Sequence, residues 1–167
     1  SEVALACVPY IDMVNDIREL QYDIDMANVI AQNNLACCIM HNRENTDYVN
    51  FFDDLKNDLR QSIEVAKRAG ISADKIMIDA GVGFAKTYEQ NLIAINRTDA
   101  LKEFNLPILM ATSNKSVIGI STGADVTDRV SGTVATTVIG ALKGATFFRV
   151  HDVKANRQAL DMTKAIL

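Results

Sequence analysis

Ile76-Met77-Ile78-Asp79-Ala80-Gly81-Val82-Gly83-Phe84-Ala85-Lys86-Thr87 holds a strand end, a turn and a helix start within twelve residues. The opening apolar run does not alternate with polar residues, the pattern of a strand buried on both faces of a parallel sheet. A carboxylate then leads a turn containing two glycines. Thr87 followed by Gln90 predicts a capping box, in which each side chain satisfies a main-chain N–H of the first helical turn. The helix so opened is expected to reach about Asn105, with Pro107 just beyond its end.

The same unit repeats on both sides. Upstream, Tyr48, Phe52, Leu55, Leu59, Ile63 and Ala66 step by three or four residues and predict one apolar helical stripe, which Gly70 stops. Further apolar runs lie at Ile11–Asn15, Leu35–Met40, Pro107–Ala111 and Thr146–Val150. Helices are expected over Asp23–Asn33, over Asp125–Leu142 with Gly144 closing it, and over Lys154–Ile166. Ser1–Pro9 reads as a helix preceding the first strand. The order is one helix followed by five strand–helix units, with no linker or composition shift, so the expectation is α/β and one domain over residues 1–167. A five-stranded doubly wound sheet and five consecutive units of a (β/α)₈ barrel both fit. A complete barrel needs eight units, which 167 residues do not supply.

Composition excludes several classes of function. Net charge is −4 and no block of five Lys or Arg occurs, so the electrostatic footprint of a nucleic-acid binder is absent. No apolar run approaches the roughly 18 residues that cross a bilayer, so no membrane partner is expected. Cys7, Cys37 and Cys38 lack metal-ligand spacing and are odd in number, which favours free thiols in a reducing, cytoplasmic setting. The chain opens on Ser1-Glu2 without Met or a signal-peptide pattern, and reads as a piece cut from within a longer protein.

Polar residues gather where each apolar run ends: Asn15-Asp16, His41-Asn42-Arg43, Asp79, Ser113-Asn114-Lys115-Ser116, and Arg149 with His151-Asp152. Both candidate architectures carry their sites at this end of the strands. Asp79 could accept two N–H bonds from a flat heterocycle with an amidine-like edge, or could cap its own turn. Arg149 and His151, one residue apart, are expected on one strand face, a cation that stacks beside a donor to an anion. Lys115 follows a strand, and ordinarily such a lysine is a surface residue. Helix N-termini at Thr87 and Ser116 add places where a carboxylate or phosphate could rest.

Asp79-Ala80-Gly81-Val82-Gly83-Phe84-Ala85-Lys86-Thr87 resembles the dihydropteroate synthase motif Asp-Pro-Gly-[Ile/Val]-Gly-Phe-[Gly/Ala]-Lys-Thr. Ser113-Asn114-Lys115-Ser116-Val117-Ile118-Gly119 is similar to that family's Ser-Arg-Lys-Ser-x-Ile-Gly, and Arg149-Val150-His151-Asp152-Val153 to its closing Arg-Val-His-Asp-Val. Val14-Asn15-Asp16-Ile17, Ile39-Met40-His41-Asn42-Arg43 and Thr127-Asp128-Arg129-Val130-Ser131-Gly132-Thr133 resemble further family segments, in the family's order.

The resemblance implies a C-terminal portion, lacking about three N-terminal βα units, of a (β/α)₈ TIM barrel transferase of folate biosynthesis and sulfonamide target. That enzyme joins 6-hydroxymethyl-7,8-dihydropterin diphosphate to p-aminobenzoate, releasing diphosphate. By the same resemblance Asn15 and Asp79 bond the pterin edge, Met40 packs beside it, and Lys115 bonds the ring. Arg149 stacks on the pterin face and His151 binds the leaving diphosphate. Phe84 lines the p-aminobenzoate pocket and Ser116 receives its carboxylate. The catalytic residues implied are Lys115, Arg149 and His151. Mg²⁺ is implied for the family, with its main protein ligand outside this chain and no metal ligand within it. A homodimer, or pairing with the absent N-terminal segment, is also implied. Two substitutions depart from the pattern: Ala80 for Pro and Asn114 for Arg, the latter removing a charge near the diphosphate. Two alternatives remain open: a methyltetrahydrofolate-dependent methyltransferase relative, and a non-catalytic fragment that needs a partner chain.

Overall fold

The computed structural model describes residues 1–167, the side chain of Ile24 excepted. Strands and helices alternate as the α/β reading requires, and the chain divides into two compact units, Ser1–Gly81 and Val82–Leu167.

The first unit contains α1 (Glu2–Cys7), β1 (Met13–Asp16), α2 (Ile24–Gln32), β2 (Ala36–Met40), α3 (Phe51–Arg68) and β3 (Ile76–Asp79). β1 pairs with β2 and β2 with β3, all parallel, with Asn15 opposite Cys38 and Met40 opposite Asp79. All four β3 residues are buried, as are the last four of β2, which is why these strands read as unbroken apolar runs. α3 carries Phe52, Leu55, Leu59, Ile63 and Ala66 on its buried face. Each large aliphatic or aromatic side chain so buried contributes about 1.5–3 kcal/mol. The stripe is shorter than the sequence suggested. Tyr48 precedes the helix, because Asn50 is extended at φ −131°. Its ring lies instead under the Arg43 guanidinium, 4.4 Å away, and edge-on to Phe51 at 4.9 Å. Gly70 closes α3 in the left-handed region at φ +93°.

The second unit contains α4 (Tyr88–Asn96), β4 (Ile108–Met110), α5 (Ser116–Thr122), α6 (Val130–Leu142), β5 (Phe147–Phe148) and α7 (Val153–Ile166). β4 and β5 are parallel, Met110 opposite Phe148. The capping box of Thr87 and Gln90 is present as expected. The helix it opens ends at Asn96 instead of Asn105, giving way to 3₁₀ structure over Thr98–Phe104. Thr98 explains the break: its buried hydroxyl bonds the carbonyls of Ala94 (3.2 Å) and Ile95 (2.9 Å), competing for the helical acceptors. The predicted helix from Asp125 likewise resolves into a 3₁₀ turn, Val126–Asp128, and then α6. α6 packs tightly through its small residues. A Cβ on Gly140 would stand 2.5 Å from Met110 Sδ, so only glycine admits the β4 side chain there. β5 spans two residues, shorter than the run Thr146–Val150, so Arg149 and His151 lie beyond the strand. The Arg149 N–H still reaches the Met110 carbonyl at 3.1 Å, which continues the pairing one step past β5.

Candidate functional site

In the first unit, three neighbouring parallel strands carry Asn15, Met40 and Asp79 at or one residue before their C-terminal ends. Met40 is fully buried and Asp79 is 2% exposed. Asp79 Oδ1 accepts the Gly81 N–H at 2.8 Å, so the carboxylate does cap its own turn, with one oxygen. Asn15 Oδ1 is buried and has no hydrogen-bond partner. An unsatisfied buried acceptor costs about 1–3 kcal/mol, a cost that a bound donor would remove.

Below these ends runs a charged network. Asp58 on α3 accepts from Arg43 Nε (2.6 Å) and Nη2 (3.1 Å) and lies 3.1 Å from His41 Nε2. Burial pushes the Asp58 carboxyl up, but the hydrogen bonds from His41 and Arg43 and the Arg43 charge outweigh it, and the net shift is downward. Glu19, 6% exposed and at φ 62°, accepts the Asn42 N–H at 2.8 Å. Asp16 accepts the N–H groups of Arg18 and Leu20, which ties off the turn after β1. The network therefore fixes both loops that follow β1 and β2. Sequence reading placed His41 and Arg43 at a strand end but had no signal for Asp58 as their partner. A groove of ≈ 610 Å³ also runs along the outside of α3, bordered by residues of both charges. No residue of a strand lines it.

In the second unit, a cavity of ≈ 350 Å³ is lined by Ala111, Ser113, Lys115, Arg149, Val150 and His151. Ser113 Oγ accepts the His151 main-chain N–H at 3.1 Å and lies 2.7 Å from His151 Nδ1. The hydroxyl proton is thus available to Nδ1, which leaves Nε2–H as the ring's outward donor. Arg149 and His151 are both exposed, and Lys115 is half-buried. Two cations and an imidazole donor around one concavity suit an anion, and a phosphorylated one in particular. Arg149 and His151 both line this cavity, but from beyond β5 and not from one strand face as expected, because the strand stops at Phe148.

Lys115 does more than add charge. Its ammonium donates to the Val82 carbonyl and sits 4.6 Å from the centroid of the Phe84 ring. It thereby joins the β4 end to the glycine-rich turn. That turn has its own brace in Asn91, 4% exposed on α4. Asn91 Oδ1 accepts the Gly83 N–H at 2.5 Å, while Nδ2 donates to the Thr87 carbonyl at 2.8 Å. Sequence reading passed over Asn91, although an amide four residues past the cap, on the buried side of α4, was its available signal. Ser116 begins α5 with its side chain exposed. Ala80 is buried at the start of the turn. Asn114 sits at φ 56°, a left-handed conformation that Asn tolerates better than most residues. The substitution that removes a charge thus also suits the backbone.

Among the described residues, no group of three or more His, Cys, Asp or Glu is arranged to hold a metal ion. No helix is long and apolar enough to cross a membrane.

Comparison with known proteins accords with this arrangement. The dihydropteroate synthase of Clostridium beijerinckii is 50% identical over 157 residues, covering 93% of this chain and 58% of that protein. That of Bacillus subtilis is 37% identical over 155 residues, covering 93% and 54%. A crystal structure of dihydropteroate synthase from Clostridium difficile, solved in the presence of pteroic acid, superposes with a TM-score of 0.96 at 41% identity, covering 99% of this chain and 64% of that one. The Yersinia pestis enzyme in complex with a sulfonamide drug gives 0.93 at 31% identity, covering 99% and 62%. The chain spans between about half and two thirds of the length of these relatives, and its strand–helix units are part of a (β/α)₈ barrel. The family model for pterin binding enzymes matches residues 1–151, and the chain belongs to that family.

Proposed function

We propose that this chain serves dihydropteroate synthesis, joining 6-hydroxymethyl-7,8-dihydropterin diphosphate to p-aminobenzoate, and that residues 1–167 form one partial barrel domain. The observation that carries the reading is the cavity in which the Ser113–His151 hydrogen bond lies beside Lys115 and Arg149, built for a phosphorylated anion. The partnerless Asn15 oxygen supports it, as an acceptor waiting for an N–H donor on a pterin edge.

In this reading Asn15 and Asp79 bond the pterin edge, Met40 packs against it and Lys115 bonds the ring. Arg149 stacks along the pterin face. His151 Nε2–H donates to the diphosphate as the C–O bond breaks and the leaving group departs with the electron pair. The p-aminobenzoate amine, positioned against Phe84 with its carboxylate toward Ser116, attacks the resulting pterin-stabilised cation and then loses its proton. The protein contributes leaving-group stabilisation and positioning. Mg²⁺, implied by the family resemblance, would be held mainly by a ligand outside this chain and would supply charge stabilisation to the departing diphosphate. The proposal includes a cytoplasmic setting, in line with three free cysteines, and completion by a second copy or a further N-terminal segment, in line with the greater length of the relatives.

Calorimetry tests the reading. The chain, within its full-length protein, should bind dihydropterin diphosphate in preference to methyltetrahydrofolate. His151→Ala should weaken the diphosphate ester while sparing hydroxymethyldihydropterin. Preference for methyltetrahydrofolate, or equal loss of both pterins, would overturn it.

A further inference from the structure

Arg129 is not among the residues that line the cavity, yet it is bonded to the segment that forms one wall. Its guanidinium donates through Nη1 to the Asn114 carbonyl at 2.9 Å and through Nε to the Ala124 carbonyl at 3.1 Å. It has no carboxylate partner among the described residues; both contacts are to main chain. The Asn114 N–H in turn donates to Thr133 Oγ1 at 3.2 Å, and that hydroxyl donates to the Arg129 carbonyl at 2.8 Å. A closed ring of three bonds therefore holds both polar main-chain groups of Asn114, in its left-handed conformation, to the start of α6.

Asn114 separates Ser113 from Lys115, the two cavity residues that engage His151 and the glycine-rich turn. Fixing Asn114 fixes where both side chains point. Gly119 on α5 makes the arrangement possible. A Cβ there would come within 2.3 Å of Arg129 Nη2 and 2.6 Å of Cζ, so any side chain at this position expels the guanidinium.

We propose that Arg129, seated on Gly119, is a positioning residue that presets Ser113 and Lys115 for anion binding. Only the choice of ligand rests on the function proposed above; the clamp itself stands on the bonds around Asn114.

The test uses inorganic diphosphate as the probe, with calorimetry and NMR of the His151 ring. Arg129→Ala should weaken diphosphate about ten-fold, the equivalent of ~1.4 kcal/mol, and shift the His151 ring signals in the absence of ligand. Gly119→Ala, which leaves the arginine in the chain, should do the same. Combining the two should add little, because each removes one and the same contact. Guanidinium chloride at low concentration, against an equal concentration of sodium chloride, should restore Arg129→Ala but not the double variant, whose added methyl group fills the seat. Arg129→Lys keeps the charge and loses the fork, and should behave as Arg129→Ala. Lowered melting temperature with wild-type diphosphate affinity and His151 signals would reduce Arg129 to a structural role and overturn the proposal. Additive losses in the double variant would overturn it too. If the unaltered chain fails to bind diphosphate, the function proposed for the cavity fails. The His151 signals of the variants then decide the clamp by themselves.

Discussion

Asp58→Ala is expected to cost about 1.5–4 kcal/mol of stability. His41 has no exposed surface and Asp58 is its acceptor, so truncation takes a charge-assisted bond from a ring that water cannot readily reach, worth about 1–3 kcal/mol. The Arg43 side chain is 27% exposed and recovers water when its bidentate bond is lost, so its share is nearer 0.5–1 kcal/mol. For a chain of this length the sum lowers the melting temperature by roughly 3–16 °C. With no Trp in the sequence, far-UV circular dichroism during urea titration is a suitable readout. Asp58→Asn keeps the shape without the charge and isolates the pH dependence. The folded carboxyl is held below its ordinary 3.8, so its stabilisation is complete above that value and is lost as pH falls through the lower folded one. The acid limb of the stability curve should therefore flatten in Asp58→Asn. A loss below 0.5 kcal/mol in Asp58→Ala, or an unchanged acid limb in Asp58→Asn, would refute this account of the network.

Two further outcomes follow from the strand ends and the turn. Ala85 sits at φ 43°, so Ala85→Gly should relieve about 1–2 kcal/mol of strain, less roughly 0.4–1 kcal/mol for the freer unfolded chain. The net is a melting temperature unchanged to roughly 6 °C higher, and a decrease would contradict it. Asn15→Leu removes a buried acceptor that has no partner, and should leave the free chain as stable or more stable while weakening pterin binding about 5- to 150-fold. Calorimetry paired with denaturation reads both, and unchanged pterin affinity would contradict it.

The elements most legible in sequence were those whose burial is uniform. β2 and β3 are buried through nearly their whole length, and their apolar runs marked them to within a residue. The capping box at Thr87 was equally plain, because both partners are local. Boundaries failed where a side chain competes with the backbone. Thr98 ends α4 early through its own hydroxyl, and Tyr48 leaves the α3 stripe to stack under Arg43. The motif residues were legible one by one, since strand ends in α/β folds carry polar groups. Their supports were not. Nothing in local spacing links Arg43 to Asp58, fifteen residues on, or Arg129 to Asn114, fifteen residues back. Such pairs exist only once the chain has closed on itself.

Cys37 and Cys38 stand side by side in β2, both with no exposed surface. Burial, followed by the nearby Asp16 charge, pushes the Cys37 thiol up to about 12, so almost none of it is thiolate at neutral pH. Successive strand residues face opposite sides of the sheet, so the two sulfurs look into different layers of the first unit. A thiol-specific reagent can then modify them only in molecules whose central strand has opened. Comparing the two labelling rates would time the uncovering of each face separately, with no mutation.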